Sequence, residues 1–592
     1  MSIHNLLRCV TVALLLAVTT MPAGAQYWSG DNRRVRERHS RTNSYGDVVE
    51  IRTRDAGTLE TQFPKDMIDR VRLLHIDGPL DAYDFKFIKK LCTRSRCVDS
   101  RGRSTDNFLD LELERARIIS AGGTGLLDNR GERDVLGDGL NYATHLRSLV
   151  LPERLKRIDN NALTGCHNLE EVIMPQGVRS IGHRAFCNCS RLEYVTLPEG
   201  LQSIGDECFS GCSKLTAVTL PRSLSEIGEK AFASTGLRRI ALPAGLAELG
   251  KRAFEKTDIT ELLLPAATRV NGDDFGSMPK LVDIGVENGS RHYSTEDGVL
   301  YDASGERLLV MPAARSGRFA VPDGVTDIAA NAFANCGLSA ITLPESLISI
   351  GNNAFIGCKQ LTRLELPASV TTVGVAAFQR CTNLQQIDMP GVIRMGKSAF
   401  ADCTSLHTLD IGDQLTSIPQ QAFENCAGLA AFDVPAAVAA IGEKAFKGCA
   451  GLTRVALPNG LTTIGKEAFR ECTSLTAIAL PSSCTTVEKE AFRQCKALAR
   501  ADLGGTLTTI GDNALRETAI IKLVLPATVT RVGKKVAEKC PQLQRIECHA
   551  PTPPQLDKVS NDKLELYVPA QCVEAYKQAK NWKNFKRILP LP

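Results

Sequence analysis

The sequence predicts a repeat solenoid of about sixteen coils, each 22–23 residues long and each contributing parallel β-strands, with atypical N- and C-terminal caps. The first observation is a template, LxxIxLPxxLxxIGxxAFxxCxx, that recurs in register from Leu146 to Gln542. The second is that individual copies match the template closely, such as residues 361–383, 452–474 and 475–497. A fixed period of this length indicates units that bury their apolar faces only by stacking on one another.

Each predicted coil has two halves. In the first half, LxxIxL, the first, fourth and sixth residues are expected to point inward and the fifth outward. The proline that follows ends the strand because it has no N–H to donate. The second half turns the chain at a glycine such as Gly182 or Gly465, where a Cβ is expected to be excluded. Phe occupies one position in thirteen coils, from Phe186 to Phe492, which predicts a column of rings as the spine of the core.

Most of the 20 cysteines belong to the template rather than to a disulfide framework. They lie three residues after the Phe position or its substitute, at Cys166, Cys189, Cys212, Cys336, Cys358, Cys381, Cys403, Cys426, Cys449, Cys472, Cys495 and Cys540. Stacked coils place equivalent positions about 4.8 Å apart, so these residues predict a buried column of reduced thiols. For the cap pairs Cys92/Cys97 and Cys548/Cys572, the sequence leaves open whether disulfides form.

The N-terminus has the pattern of a secretory signal peptide over residues 1–25. An apolar run, residues 10–18, follows Arg8 and precedes the small residues at 22–25, which predicts cleavage after Ala25. Residues 26–45 contain many arginines and little to bury, so we expect a disordered basic leader. The alternative is a basic arm attracted to an anionic surface. The net charge of +5 on 592 residues implies no nucleic-acid partner.

The remaining chain divides by how strictly it follows the template. Residues 46–145 predict an N-terminal cap, with strands at 51–54, 71–76 and 108–113 and a helix at 81–91 whose Phe85, Phe87 and Ile88 face inward. Two repeat blocks, 146–280 and 326–542, flank an insert at 281–325, in which residues 299–301 and 308–311 predict a β-hairpin laid on one flank. Residues 543–592 predict a C-terminal cap, with a strand at 564–569 and an amphipathic helix at 571–585 that buries Tyr576, Trp582 and Phe585.

The template resembles the BspA-like leucine-rich repeat, the treponemal-type subfamily of leucine-rich repeats. The insert sequence YSTEDGVLY (293–301) resembles the hairpin unit that interrupts such arrays. Residues 567–588 resemble the C-terminal segment, and residues 56–63 with 75–88 the N-terminal module, of Bacteroidetes members. The resemblance covers nearly all of the chain after the signal peptide. It implies an exported leucine-rich-repeat array that adheres to host proteins, extracellular-matrix proteins or other cells.

A search for catalytic and metal-binding motifs finds none that fits the fold. Residues 391–398, GVIRMGKS, satisfy GxxxxGK[ST], but Gly396-Lys397 occupies the glycine corner of a coil rather than a loop between strand and helix. His183, Cys187 and Cys189 are close in sequence, but Cys189 belongs to the thiol column. We therefore expect no enzyme, no cofactor, no metal and no catalytic residue.

The main surface feature is a row of acids on the strand face. The fifth residue of four consecutive coils is acidic, at Glu365, Asp388, Asp410 and Asp433. Paired strands would hold these carboxylates about 5 Å apart, which destabilises a sheet. One interpretation is a solvated face partly neutralised by Arg363, and the other is a binding patch for a cationic protein segment or Ca²⁺.

These observations predict a non-catalytic exported protein that binds another protein through its strand face. The partner would be a host or extracellular-matrix protein or another cell-surface protein, and the location periplasm, cell surface or medium. One alternative is a structural role in the cell envelope. Another is carbohydrate binding, for which Tyr194 is the main exposed aromatic candidate.

Overall fold

The computed structural model describes residues 47–95, 97–98, 108–119, 133–270, 275, 278–556 and 564–592. The predicted signal peptide (1–25) and basic leader (26–45) lie outside these residues. In the described part, the chain forms a stack of coils, and most coils contribute a strand from LxxIxL and a two-residue strand from LxxIG. The predicted solenoid of parallel strands is confirmed.

The N-terminal region is built from short strands and two helices. Their bounds are β1 Val48–Arg52, α1 Leu59–Gln62, β2 Leu73–Leu80, α2 Ala82–Cys92, β3 Leu109–Glu112, β4 Ala116–Ile118 and β5 Val135–Leu136. The predicted helix is confirmed as α2, which begins after Asp81 because the Asp81 carboxylate accepts the N–H groups of Tyr83 and Asp84. Phe85, Phe87 and Ile88 are buried as expected.

The first repeat block continues these strands. Its strands are β6 Leu146–Val150, β7 Arg157–Ile158, β8 Glu171–Ile173, β9 Ser180–Ile181, β10 Tyr194–Thr196, β11 Ser203–Ile204, β12 Glu226–Ile227, β13 Glu248–Leu249, β14 Glu261–Leu264 and β15 Asp283–Val286. One parallel sheet runs in the order β1-β2-β3-β6-β8-β10, and a second in the order β5-β7-β9-β11-β12-β13. The sheet therefore has no break at residue 145, and the N-terminal module covers the end of the array by pairing with it.

The insert lies between the two blocks rather than on one flank. Its strands are β16 Tyr293–Glu296, β17 Val299–Asp302, β18 Arg307–Val310 and β19 Ser316–Ala320. The predicted hairpin forms as antiparallel β17 and β18. Alternate residues of the hairpin face opposite sides, so Leu300 and Val310 join the core of the first block while Val299, Tyr301 and Leu308 join the core of the second. The hairpin thus separates the hydrophobic cores of the two repeat blocks and contributes side chains to both.

The second repeat block is more regular. Its strands are β20 Asp327–Ile328, β21 Gly337–Thr342, β22 Ser349–Ile350, β23 Arg363–Glu365, β24 Thr372–Val373, β25 Gln386–Met389, β26 Arg394–Met395, β27 Thr408–Ile411, β28 Ser417–Ile418, β29 Ala431–Asp433, β30 Ala440–Ile441, β31 Arg454–Ala456, β32 Thr463–Ile464, β33 Ala477–Ala479, β34 Thr486–Val487, β35 Arg500–Asp502, β36 Thr509–Ile510, β37 Lys522–Leu525 and β38 Arg531–Val532. The LxxIG strands form two sheets, β16-β17-β18-β20-β22-β24-β26 and one that starts β28-β30-β32-β34-β36-β38. The hairpin is the first part of the former sheet, because β18 pairs with β20 in parallel.

The C-terminal cap closes the stack with strands as well as helix. Its elements are β39 Arg545–Cys548, β40 Gln555–Leu556, β41 Glu565–Val568, α3 Val573–Gln578 and β42 Arg587–Pro590. The prediction of one helix over 571–585 is wrong. The helix ends because Ala579 is extended and Asn581 has a φ of 69°, and this turn brings β42 onto β41. Tyr576, Trp582 and Phe585 are buried as predicted.

The core consists of columns along the stack. Phe rings stack from Phe186 to Phe254 and from Phe333 to Phe492, with centroids 4.7–5.9 Å apart. The corner glycines have the predicted role, because a Cβ on Gly396 would lie 2.3 Å from the backbone nitrogen of Val375 in the preceding coil.

The described cysteines are all free thiols, including the two cap pairs that the sequence left open. In the column, each thiol donates to a buried backbone carbonyl of the preceding coil. For example, the Sγ of Cys426 lies 3.1 Å from the carbonyl oxygen of Phe400. Burial raises the pKa of Cys449 to about 12, which keeps the thiol protonated. Thr235, at the same position in its coil, donates instead to the carbonyl of Phe232.

Candidate interaction face of the repeat strands

The LxxIxL strands of the second block present outward side chains on a buried support. In β23, Leu364 is 1% exposed and packs in the core, while Arg363 and Glu365 on either side are exposed. The same alternation recurs in β29, where Phe432 is buried between exposed Ala431 and Asp433. Outward residues can therefore vary without changing the core, which makes this face suited to recognition.

The structure brings three of the four predicted acids into one row. Glu365 is the register partner of Asp388, and Asp388 is the register partner of Asp410, in the sheet β23-β25-β27. Asp433 lies on β29, which pairs with β31 and not with β27. The row therefore has three members in a single sheet and a fourth across a break.

Arginines neutralise the two ends of the row. Arg363 contacts the carboxylate of Glu365, and its Nη2 lies 3.9 Å from Oδ2 of Asp388. At the other end, Nη2 of Arg454 lies 2.9 Å from Oδ1 of Asp433. These contacts offset the repulsion between paired acids and agree with the interpretation of a partly neutralised face.

The middle of the row keeps its negative charge. Asp388 accepts a hydrogen bond from the amide of Gln386 at 2.9 Å. Asp410 is exposed and has no ion pair or side-chain hydrogen bond with any residue that the structure describes. Among those residues, no group of three or more His, Cys, Asp or Glu side chains is placed to hold a metal ion. The arrangement therefore presents single carboxylates to a ligand and does not form a Ca²⁺ cage.

The candidate phosphate-binding and metal-binding residues do not form a site. Residues 391–398 pack tightly, since a Cβ on Gly391 would lie 1.9 Å from the carbonyl oxygen of Ala368, so this backbone cannot wrap a phosphate. Cys189 donates to the carbonyl of Leu163 in the core and not toward His183. Tyr194 is 59% exposed on β10, beside Glu171.

The sequence analysis did not predict that Arg454 neutralises Asp433 at one end of the acidic row. The signal was present in the sequence, because Arg454 occupies the third position of its coil just as Arg363 does. What the sequence lacked was the pairing of β29 with β31, which places the Arg454 guanidinium beside Asp433.

Comparison with known proteins identifies the repeat. A family model described as BspA type leucine rich repeat region matches six copies, over residues 136–262, 316–430 and 416–544. No curated protein matches the chain.

Three solved structures are similar to the chain. A leucine-rich repeat protein from Eubacterium ventriosum is 24% identical, with a TM-score of 0.45, over 59% of this chain and 88% of its own. One from Bacteroides ovatus is 25% identical, with a TM-score of 0.37, over 68% and 86%. A leucine rich cell surface protein from Faecalibacterium prausnitzii is 27% identical, with a TM-score of 0.31, over 56% and 78%.

Proposed function

The chain belongs to the BspA-type leucine-rich repeat family, and from this premise we propose that it is a non-catalytic, exported protein that binds another protein through its LxxIxL strand face. Repeat arrays of this kind present many side chains on one rigid, extended surface, which suits macromolecular partners. The partner class is a host or extracellular-matrix protein or another cell-surface protein.

The observation that carries the proposal is the partly neutralised acidic row. Arg363 and Arg454 stabilise its ends, and Nη2 of Arg363 also lies 3.9 Å from Oδ2 of Asp388. Asp410 forms no ion pair with any residue that the structure describes. Paired acids are unfavourable for the sheet itself. A cationic segment of a partner, laid along the strands, would supply the missing charge and gain orientation from the fixed register.

Export is supported by the sequence pattern of residues 1–25. Among the described residues, no helix has the length and apolar character needed to cross a bilayer. Protease treatment of intact cells tests the location. Digestion before the cells are opened supports a surface location, and protection until the outer membrane is opened excludes adhesion.

Charge reversal tests the strand face. We expect the double variant Asp388→Lys, Asp410→Lys to bind its protein partner at least about tenfold more weakly than wild type, measured on a panel of immobilised extracellular-matrix and cell-surface proteins. The matched control is Asp323→Lys, Glu345→Lys, which makes the same change of charge at two exposed turn residues of neighbouring coils. Equal affinity of both variants for every panel protein would remove the proposal.

A further inference from the structure

A second charged feature lies on another side of the first repeat block, at the residue before each LxxIG strand. We name the column of these residues, one from each coil, the flank column. Each member donates its backbone N–H to the carbonyl of the member one coil earlier, as Arg179 does to Lys156 at 2.9 Å. The flank column begins at Asp134 in the N-terminal cap and continues through the first block as Lys156, Arg179, Gln202, Ser225 and Ala247. It ends beside Arg269, which donates its N–H to Ala247 and is in register with Glu248.

The same column in the second block is uncharged. Its members are Thr326, Ile348, Thr371, Ile393, Thr416, Ala439, Thr462, Thr485, Thr508 and Thr530. The template thus accepts small and apolar residues here, and stacking does not require cations. The lysine and arginines of the first block therefore need an explanation other than the fold.

One end of the first block's flank column opens into a cationic cleft of about 940 Å³. Five cationic side chains line it against two carboxylates, namely Arg133, Arg154, Lys156, Arg157 and Arg179 against Asp134 and Glu153. The ion pair within it is long, with Nζ of Lys156 3.9 Å from Oδ2 of Asp134. Arg133 and Arg154 are exposed and form no ion pair with a described residue.

Backbone packing holds one of these cations in place. Nη1 of Arg179 donates to the carbonyl of Gln176 at 2.8 Å. The guanidinium lies over Gly200 of the next coil, where a Cβ would be 2.2 Å from Nη1. A bulkier residue at position 200 would displace the side chain, so Arg179 is positioned rather than freely solvated.

The other end of the column has a second cleft of about 520 Å³, lined by Arg269, Arg291, His292 and Glu248 among others. Five coil steps separate Lys156 from Arg269, which corresponds to about 24 Å at the spacing of neighbouring strands. A single small anion cannot contact both clefts. An extended polyanion can, because the column between them, Gln202, Ser225 and Ala247, contains no acid.

The side chains beside the flank column favour one class of polyanion over the others. Glu226 and Glu248 stand exposed beside it, so a broad anionic membrane surface would meet carboxylates as well as cations. Among the residues that the structure describes, no Phe, Tyr or Trp lines either cleft, whereas single-stranded nucleic acid is held by stacking its bases on aromatic side chains. A single chain with repeated sulfate or carboxylate groups fits two cationic clefts that are joined by a narrow column without acids.

We propose that the flank column of the first block, with its two clefts, binds a linear anionic polysaccharide. Arg154, Lys156 and Arg179 contact its sulfate or carboxylate groups at one end, and Arg269 and Arg291 do so at the other. This site is separate from the acidic row and has the opposite charge.

Heparin is the probe. Binding of fluorescently labelled heparin to the whole protein is measured by anisotropy at low and high salt, since exposed ion contacts are screened by salt. We expect Arg154→Glu, Lys156→Glu and, separately, Arg269→Glu, Arg291→Glu each to weaken binding about tenfold. A short heparin fragment that fits only the larger cleft should respond to the first variant and not to the second.

The matched control is Arg318→Glu, Arg500→Glu, two exposed arginines outside the first block, one in the insert and one in the second block, that form no ion pair with a described residue. The control variant should bind heparin with an affinity within about twofold of that of wild type. Its altered charges lie outside both clefts, and salt screens their long-range effect on heparin. Thermal unfolding shows whether each variant is folded. If the Arg154→Glu, Lys156→Glu variant is unfolded, Lys156→Ala is measured in its place. If the two cleft variants and the control variant bind heparin with equal affinity, the proposal is overturned. So does binding to phosphatidylserine vesicles or poly(dT) as tight as to heparin.

Discussion

The two repeat blocks share one template but use their charges differently. In the second block, acids and bases pair along the turn side, through contacts such as Lys466 with Glu443 at 2.9 Å and Arg493 with Glu490 at 2.9 Å. Arg470 bridges Glu467 and Glu490 on neighbouring coils. In the described part of the chain, the first block has one such contact between coils, Arg184 with Glu207 at 3.4 Å. Beside its flank column, Arg133 and Arg154 form no ion pair with any residue that the structure describes.

This difference distinguishes charges that stabilise the stack from charges that are available to a ligand. A charge that is paired between coils holds the stack together, and it is not available to a ligand. A charge left unpaired on a regular column costs little stability at the surface and can serve binding. The variable positions of the template therefore determine function, and they do so differently in each block.

The largest expected effect concerns the Phe columns. Phe400 lies between two stacked rings, 5.1 Å from Phe378 and 5.6 Å from Phe423, whereas Phe254 has one stacked neighbour, Phe232 at 5.9 Å. We expect Phe400→Ala to cost about 3–5 kcal/mol and Phe254→Ala to fall at or below the low end of that range. Urea unfolding, followed by hydrogen exchange in each block, measures both. An equal or larger loss for Phe254→Ala would contradict the view that a ring between two stacked neighbours contributes more than a ring at the end of a column.

The sequence predicted the scaffold better than the site. The columns were predictable because each core position recurs every 22–23 residues. The helix over 571–585 was not, because its end depends on Asn581 turning the chain so that β42 can pair with β41. The neutralising role of Arg454 and the two clefts depend on which strands pair and which side chains point together, and no single coil contains that information.

An intermediate effect concerns the thiol column. We expect Cys449→Ala to cost about 0.5–1.5 kcal/mol, because the buried carbonyl of Phe423 loses the thiol donor at 3.1 Å but keeps the backbone N–H of Cys426 at 3.2 Å. Cys449→Thr should cost less than Cys449→Ala only if the hydroxyl donates to its own coil, as Thr235 does in the first block. Urea midpoints of the two variants provide the comparison. If Thr is the worse substitution, the coil of Cys449 does not accept the arrangement that Thr235 has in the first block and Thr518 has in the second.

The smallest expected effect is the pH dependence of the ion pairs. The hydrogen bond from Lys466 lowers the pKa of Glu443, and at Glu490 burial raises the pKa but the Arg493 and Arg470 contacts lower it by more. A lowered folded pKa gives stability that is present above the ordinary pKa of about 4.3 and is lost as pH falls through the folded value. In the N-terminal cap, burial raises the pKa of Asp138, so its protonation at low pH favours the folded state.

Acidification from pH 7 to below 4 should therefore destabilise the second block selectively. We expect at most about 1 kcal/mol from the contacts of Glu490, which are partly buried, and a smaller loss at Glu443, whose partner Lys466 is solvated and screened. Hydrogen exchange in peptides of each block measures the loss, and Glu490→Gln should reduce it. Equal losses in both blocks would show that the paired charges are not what distinguishes them.

The account is tested most directly by labelling exposed carboxylates with a carbodiimide and an amine, in the free protein and with a bound partner from the protein panel. We predict that a saturating protein partner reduces labelling of Asp388 and Asp410, while Asp323 and Glu345 are labelled as in the free protein. Heparin, in contrast, should leave all four unchanged. Unaltered labelling of Asp388 and Asp410 in a saturated protein complex would contradict the claim that the strand face is the surface that binds protein.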